Sequence, residues 1–345
     1  MEPLGDAGRS RPATLADVAA ASGVATSTVS RALSNPGRVN QITRERIERA
    51  ARELDYVPNS HARALTSGRT GAIAVLVSDV TNPFYFGIIR GTQQQLKAAG
   101  YTQILIDTEE SDELEDGMLQ KLRPSYDGAI LAASRLTDRR LSALAKEIPL
   151  VAINRQTASV PSVYIDTPRG VHEALGHLVS LGHRTIAYVS GPPTSWPNEG
   201  RWRALVRAAA ELGVEAIRIG PFSPKKHAGA AAADAVLNTD ATACIAFNDL
   251  LAIGMLMRFT ERGVRVPDEI SIVGCDDIFG ADFCNPPLTT LTAPIEEAGR
   301  AAVSMLLSRI DSDLPTVRRT ATLPTHLTVR SSTGPAPSNT TRKDR

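Results

Sequence analysis

The sequence predicts an all-α headpiece of three short helices followed by a two-lobed α/β core of doubly wound parallel sheets. Three observations carry this expectation. Apolar residues recur at helical spacing between about residues 14 and 54. From residue 71 the period changes to short β-rich runs, each separated by an amphipathic helical stretch. The chain's 345 residues also exceed what one hydrophobic core usually holds.

The first helix is expected to open at Thr14, which with Asp17 three residues later has the form of a capping box, and to bury Leu15, Val18 and Ala19. Gly23 stands where two helices must turn. A second helix then carries Val29, Ala32 and Leu33 on its apolar stripe, leaving Thr26, Ser27 and Arg31 outward. Asn40 is the expected N-cap of a third helix, whose apolar face is Ile47, Ala50, Ala51 and Leu54. The spacing of the first two helices is that of a helix-turn-helix, whose second helix would lie in a DNA major groove. There, hydroxyls reach base edges or phosphates, and a guanidinium grips guanine O6 and N7 with two bonds. Pattern alone leaves an ordinary helical bundle open.

In the core, strands are expected at Ala72–Val77, Thr102–Asp107, Gly128–Leu131, Val151–Ile153, Thr185–Val189, Ala216–Ile219, Cys244–Phe247 and Ser271–Gly274. Alternation of strand and helix implies parallel sheets covered on both faces. Eight such runs fit two lobes with a cleft between them more simply than one sheet. Ligands of such sheets bind beyond the carboxyl ends of the strands.

The charge is unevenly distributed. The whole chain carries +1, but residues 13–70 hold eight Arg and no Lys against five acidic residues, so the remainder is acidic on balance. No run of about 18 apolar residues could span a membrane, and the first eleven residues, with Glu2, Asp6, Arg9 and Arg11, lack the apolar core of a secretory signal. A cytoplasmic protein without membrane attachment is expected. Cys244, Cys275 and Cys284 are an odd set without C-x-x-C spacing, which fits reduced thiols. Phosphate-loop, serine-hydrolase, zinc-protease and dinucleotide-binding motifs are all absent, which argues against an enzyme. His172, His177 and His183 are spaced by five and six residues, which does not bring them to one metal, so neither metal nor cofactor is expected.

Residues 14–33, with Val39–Ile47, Leu54–Asn59 and Ala62–Leu65, closely resemble the lac repressor and galactose repressor family of transcriptional regulators. The resemblance continues through Val80–Tyr85, Asp127–Leu131, Leu178–Arg184, Phe247–Asp249, Val273–Asp277 and Pro287–Thr290, and so covers about residues 13–331. It implies a helix-turn-helix domain over 13–58, a hinge helix and linker over 59–70, and a two-lobed core over 71–331 that is similar to type I periplasmic binding proteins. Lobe 1 would span about 71–165 plus 293–321, and lobe 2 about 166–292 plus 322–331. Residues 1–12 and 332–345, rich in Gly, Pro, Ser, Thr and charge, are expected from composition to be disordered tails. The partners that the resemblance implies are double-stranded operator DNA, a small-molecule effector and a second copy of the chain, since two half-sites need a homodimer.

Carried onto matching positions, the resemblance implies that Thr26, Ser27 and Arg31 read bases while Thr28, Ser30 and Asn35 hold the phosphate backbone. Ala25 stands where many relatives carry a capping Ser, which puts that cap in doubt. Asn59, Ala62, Arg63 and Leu65 match the hinge, with Leu65 as a minor-groove wedge. The implied effector residues are Phe84, Tyr85, Asn154, Arg201, Asn248 and Asp276, joined by Trp196 on a loop expected to overhang the cleft. Asp276 and Asp277 adjoin at a strand end, so alternation should turn only one of them, Asp276, to the cleft. A sugar is the expected effector; the alternative is a nucleobase, nucleoside or phosphorylated metabolite acting as co-repressor.

Overall fold

The computed structural model describes residues 11, 13–34, 36–56, 68–311 and 320–338. The chain divides into two units, Met1–Thr70 and Gly71–Arg345.

In the first unit, α1 (Leu15–Ser22), α2 (Thr26–Ser34) and α3 (Gln41–Glu53) pack around Val18, Ala19, Val29, Ala32, Ile47 and Ala50. The capping box at Thr14 forms: its hydroxyl accepts from the Asp17 amide at 3.3 Å, and the Asp17 carboxylate accepts from the Thr14 amide at 2.8 Å. Gly23 ends α1 with φ 64°, a left-handed turn that costs glycine little. At the start of α2 the Ala25 carbonyl accepts from Thr28 and Val29, bonds that need no side chain. Asn40 caps α3 through the Ile42 amide at 2.9 Å. Leu54, expected on the apolar face of α3, instead caps the helix end and is 37% exposed, and Tyr56 packs against the core.

The second unit contains two six-stranded sheets. In chain order the strands are β1 (Ala72–Val77), β2 (Thr102–Asp107), β3 (Gly128–Ala132), β4 (Leu150–Ile153), β5 (Ser162–Asp166), β6 (Thr185–Val189), β7 (Glu215–Ile219), β8 (Ala243–Ala246), β9 (Ser271–Cys275), β10 (Thr289–Thr292), β11 (Thr320–Pro324) and β12 (His326–Thr328). Lobe 1 has the order β11-β5-β4-β3-β1-β2, and lobe 2 the order β12-β10-β9-β8-β6-β7. Every neighbouring pair is parallel except β10 with β12. The central strands β1, β3, β8 and β9 are buried at every position, as strands covered by helices on both faces must be, whereas β2 and β7 at the sheet edges are partly exposed.

The helices are α4 (Phe84–Ala98), α5 (Asp112–Lys121), α6 (Asp138–Glu147), α7 (Thr167–Ser180), α8 (Trp196–Leu212), α9 (Gly229–Leu237), α10 (Asp249–Glu261) and α11 (Ile295–Ile310). Close backbone approach sets some of their packing. A Cβ on Gly91 of α4 would stand 2.1 Å from the Glu296 carbonyl of α11, so glycine is what lets these two helices touch.

The chain crosses between lobes three times: after β5, between β10 and α11, and between β11 and β12. The last crossing falls at Thr325 and not between 321 and 322 as expected, because all of Thr320–Pro324 pairs with Ser162–Asp166. The expected tail also starts too early. Ser332 donates to the Ile272 carbonyl at 2.6 Å and accepts from the Thr289 amide at 2.8 Å, and the Ala336 amide reaches the Leu181 carbonyl at 2.8 Å. Backbone and hydroxyl pairing with β9 and β10 holds residues 332–334, and the Leu181 carbonyl holds Ala336, a source of order that apolar content does not report. Among the described residues no helix is long and apolar enough to cross a membrane, and the three cysteines are free.

Candidate functional site

The outward face of α2 carries Thr26, Ser27, Ser30 and Arg31 exposed, with Thr28 half-buried beside Val29 and Ala32 in the core. This is a short polar face on an amphipathic helix. Asn35, Asn59, Ala62, Arg63 and Leu65 lie outside the described residues.

Within the second unit, the loops after β1 to β4 of lobe 1 face the loops after β6 to β9 of lobe 2 across a cleft. Its walls are Asn82, Phe84, Tyr85, Glu110, Ala133, Arg135 and Asn154 from lobe 1, and Ser195, Pro197, Arg201, Pro224, Phe247, Asn248 and Asp276 from lobe 2. All follow the carboxyl ends of parallel strands, where side chains and backbone amides converge. The void between them is about 40 Å³, room for about three water molecules.

Arg201, on α8, anchors the lobe 2 wall. Its Nε donates to the Thr167 hydroxyl at 3.1 Å and its Nη1 to the Phe247 carbonyl at 2.5 Å, and the guanidinium lies 5.1 Å from the centre of the Phe247 ring. Its Nη2 stands 4.0 Å from Asp276. Phe247 is pressed in turn on Gly191, where a Cβ would come within 2.4 Å of the ring. Burial pushes the Asp276 carboxyl well above the usual carboxylate range, and the Arg201 charge opposes that push.

Asp276 and Asp277 do diverge, but by a different mechanism from the one expected. Both lie past the end of β9 with φ of 126° and 54°, so a turn separates them and not a pleat. Asp276 faces the cleft, while Asp277 pairs with Arg330 at 2.7 Å and accepts from Thr292 at 2.8 Å. Asn248 lines the cleft while capping α10: its Oδ1 accepts from the Leu251 amide at 3.0 Å and its Nδ2 donates to the Pro224 carbonyl at 2.9 Å. Beside it Asp249, fully buried, accepts from the Ile278 amide at 2.9 Å and the Thr290 hydroxyl at 2.6 Å, and burial lifts its pKa to about 6.

On the lobe 1 wall, Phe84 and Tyr85 pack edge to face with centroids 5.2 Å apart. Burial raises the Tyr85 hydroxyl pKa, with Glu110 adding to the effect, so this phenol stays neutral. Asn154 adopts φ 59°, a left-handed conformation in which asparagine is enriched. Trp196 is not part of either wall. It opens α8, and its ring meets Tyr164 of β5 edge to face at 5.7 Å, while its neighbours Ser195 and Pro197 reach the cleft.

Sequence reasoning missed Arg135 and Glu110. Nε of Arg135 donates to Glu110 at 2.9 Å, and its Nη2 also contacts that carboxylate. The signal was available, because Arg135 stands three residues past β3, at the same sheet edge as Asn154 past β4. Asn198 was missed too; its buried Oδ1 accepts from the Gly191 amide and the Tyr188 hydroxyl, both at 3.0 Å, and fixes the loop that leads to α8.

Residues 14–59 match the lacI family of bacterial regulatory proteins, and residues 175–333 match a periplasmic binding protein-like domain. The HTH-type transcriptional regulator DegA of Bacillus subtilis (strain 168) is 34% identical over 93% of this chain and 98% of its own length. A crystal structure of the lac repressor dimer bound to operator and the anti-inducer ONPF has a TM-score of 0.83 at 27% identity, covering 94% of this chain and all of that one. The structure of a transcriptional regulator CelR–cellobiose complex has a TM-score of 0.69 at 30% identity, covering 93% of this chain and 99% of that one.

Proposed function

The chain belongs to the lacI family of bacterial regulatory proteins, a family of transcriptional regulators and not enzymes, and on that premise we propose that a sugar held in the interlobe cleft sets its affinity for operator DNA. The carrying observation is the cleft wall itself. Arg201 of α8 and Asp276 at the end of β9 stand 4.0 Å apart, in a wall that also includes Phe84, Tyr85 and Phe247. A carboxylate accepts from two neighbouring hydroxyls and a guanidinium donates to two, while aromatic faces cover the apolar side of a pyranose. The cellobiose complex of CelR supports the same class of ligand.

At the other end of the chain, Thr26, Ser27 and Arg31 read base edges, and Thr28 and Ser30, with Asn35, hold phosphates. Operator half-sites about one helical turn apart are bound by a homodimer, as the lac repressor dimer on its operator supports. Hinge residues Asn59, Ala62, Arg63 and Leu65 contact the minor groove. Sugar entry needs the lobes to part, and the resulting change of lobe angle is passed to the paired hinges.

Fluorescence titration of Trp196 and Trp202 against a panel of sugars and nucleosides checks this reading. A saturable change is expected in the native chain and none in Arg201→Ala, with operator affinity shifting over the same ligand concentrations. A ligand that binds yet leaves operator affinity unaltered sinks the proposal.

A further inference from the structure

Each of the four α-helices of lobe 1 carries a cation in its last turn: Lys97 on α4, Lys121 on α5, Lys146 on α6 and Arg309 on α11. These helices run back along a parallel sheet, so their ends gather at the edge where its strands begin. All four side chains are exposed, and no ion pair joins any of them to a carboxylate among the described residues. Lys146 and Arg309 share an open groove of about 350 Å³. Arg123, at the same edge, donates to the Glu147 carbonyl at 3.0 Å. The acidic residues there are fewer: Glu147, Asp311 and Asp127, whose carboxylate accepts from the Gly71 amide at 2.9 Å. A cation in the last turn suits the negative end of a helix, which explains any one of the four. It does not explain the difference between the lobes. In lobe 2 the corresponding last turns hold His177 on α7, nothing basic on α8 or α9, and on α10 Arg258, which is paired with Asp234 and Glu261.

The lobes share one architecture, but only lobe 1 is joined to the helix-turn-helix unit, and the joint is at this edge, where Gly71 leads into β1. The tether of 14 residues between Tyr56 and Gly71 reaches at most about 50 Å, roughly one and a half turns of duplex. Residues 71–345 as a whole carry 28 Lys and Arg against 30 Asp and Glu, so the cationic edge stands out from an acidic background. We propose that this edge of lobe 1 is a second, sequence-independent DNA contact, which takes phosphates of the duplex beside the site that the headpiece occupies. Ammonium groups on flexible stems meet phosphates without fixed geometry and read no bases. Each phosphate they neutralise releases condensed counterions, so the contact adds most to affinity at low salt.

The test is fluorescence anisotropy of the full chain on labelled duplexes of arbitrary sequence, about 20 and about 40 base pairs long, at salt from about 50 to about 200 mM. The shorter duplex spans two half-sites and no flank. On the longer one, Lys97→Gln/Lys121→Gln/Lys146→Gln/Arg309→Gln should bind about tenfold more weakly at the lowest salt, with the slope of log affinity against log salt shallower by about 1–3. On the shorter one it should match the native chain. A control, Arg139→Gln/Arg184→Gln/Arg207→Gln/Lys226→Gln, removes as much charge from exposed positions elsewhere and should leave both slopes unchanged. Lys97→Arg/Lys121→Arg/Lys146→Arg keeps the charge and should keep the slope, which separates a lost contact from a lost fold. An unchanged slope in the first variant overturns the proposal and leaves the four cations to the helix ends or to an acidic protein. An equal loss on both duplexes, or an equal loss in the control, overturns it too, because either traces the effect to overall charge and not to this edge.

Discussion

His183 has no exposed surface, and its ring ties three segments together. Nε2 faces the Gly334 carbonyl at 3.1 Å, which can only accept, so Nε2 carries the proton and Nδ1 accepts from the Thr242 hydroxyl at 2.8 Å. Burial pushes the pKa below its ordinary value of about 6.5. The unfolded chain therefore takes up a proton where the folded chain does not. The contribution of His183 is fully present above about pH 6.5 and is lost as pH falls below it. Melting temperatures recorded from pH 7.5 to 5.5 should fall less steeply in His183→Gln than in the native chain; parallel curves would remove the residue from the pH dependence. Asp249 carries the opposite sign, since its raised pKa of about 6 means its contribution is fully present below the ordinary carboxylate value and is lost as pH rises through 6. On the DNA side, replacing Arg31 by Ala should cost roughly 1–3 kcal/mol of discrimination at a single base pair. A uniform loss across operator variants would make it a phosphate contact. Asp276 was legible because the strand-end rule and the Val273–Asp277 motif agree on it, whereas Arg201, inside α8 and in no such motif, came from the family resemblance alone. Arg135 obeyed the rule but lay in no quoted motif, and Trp196 was misplaced because a loop was expected where a helix begins.

At the scale of elements, glycine decides which helices can touch. A Cβ on Gly254 of α10 would stand 2.0 Å from the Lys226 carbonyl and 3.0 Å from the Cα of Gly229, so only backbone could yield. Gly117 in α5 has nothing within 4 Å. Thermal unfolding should separate the two: Gly254→Ala loses about 1–3 kcal/mol through overpacking, whereas Gly117→Ala gains about 0.4–1 kcal/mol by restricting the unfolded chain. Equal effects would mean that helix propensity, and not close approach, governs both positions. The eight strands read from the sequence are all present, their short apolar runs set off by the amphipathic helical stretches on either side. Strands β5, β10, β11 and β12 escaped notice although they are no shorter than β4 and β8, apart from β12; two of them, Thr289–Thr292 and Thr320–Pro324, are rich in threonine and show no apolar run. Their pairing is imposed by neighbouring strands, a tertiary effect that local pattern does not carry.

At the scale of the molecule, the sheets of the two lobes are joined by three crossings and held across the cleft by small contacts, among them Lys225 with Asp79 at 3.5 Å and Trp196 with Tyr164. The void of about 40 Å³ is smaller than a sugar, so the proposed binding couples to the equilibrium of lobe movement. If that equilibrium also sets operator affinity, linkage fixes a relation between two separate measurements: the factor by which sugar changes operator affinity must equal the factor by which operator changes sugar affinity. The sugar that responds in the fluorescence titration supplies the probe, measured with and without a saturating operator duplex. Lys225→Met removes one cross-cleft charge pair without touching the residues that line the cleft, and should move both factors together, because it shifts the shared opening step and neither binding site. A variant that altered sugar affinity while leaving its effect on operator unchanged would show that the lobes close for the ligand alone, and that the signal to DNA leaves the core by another route.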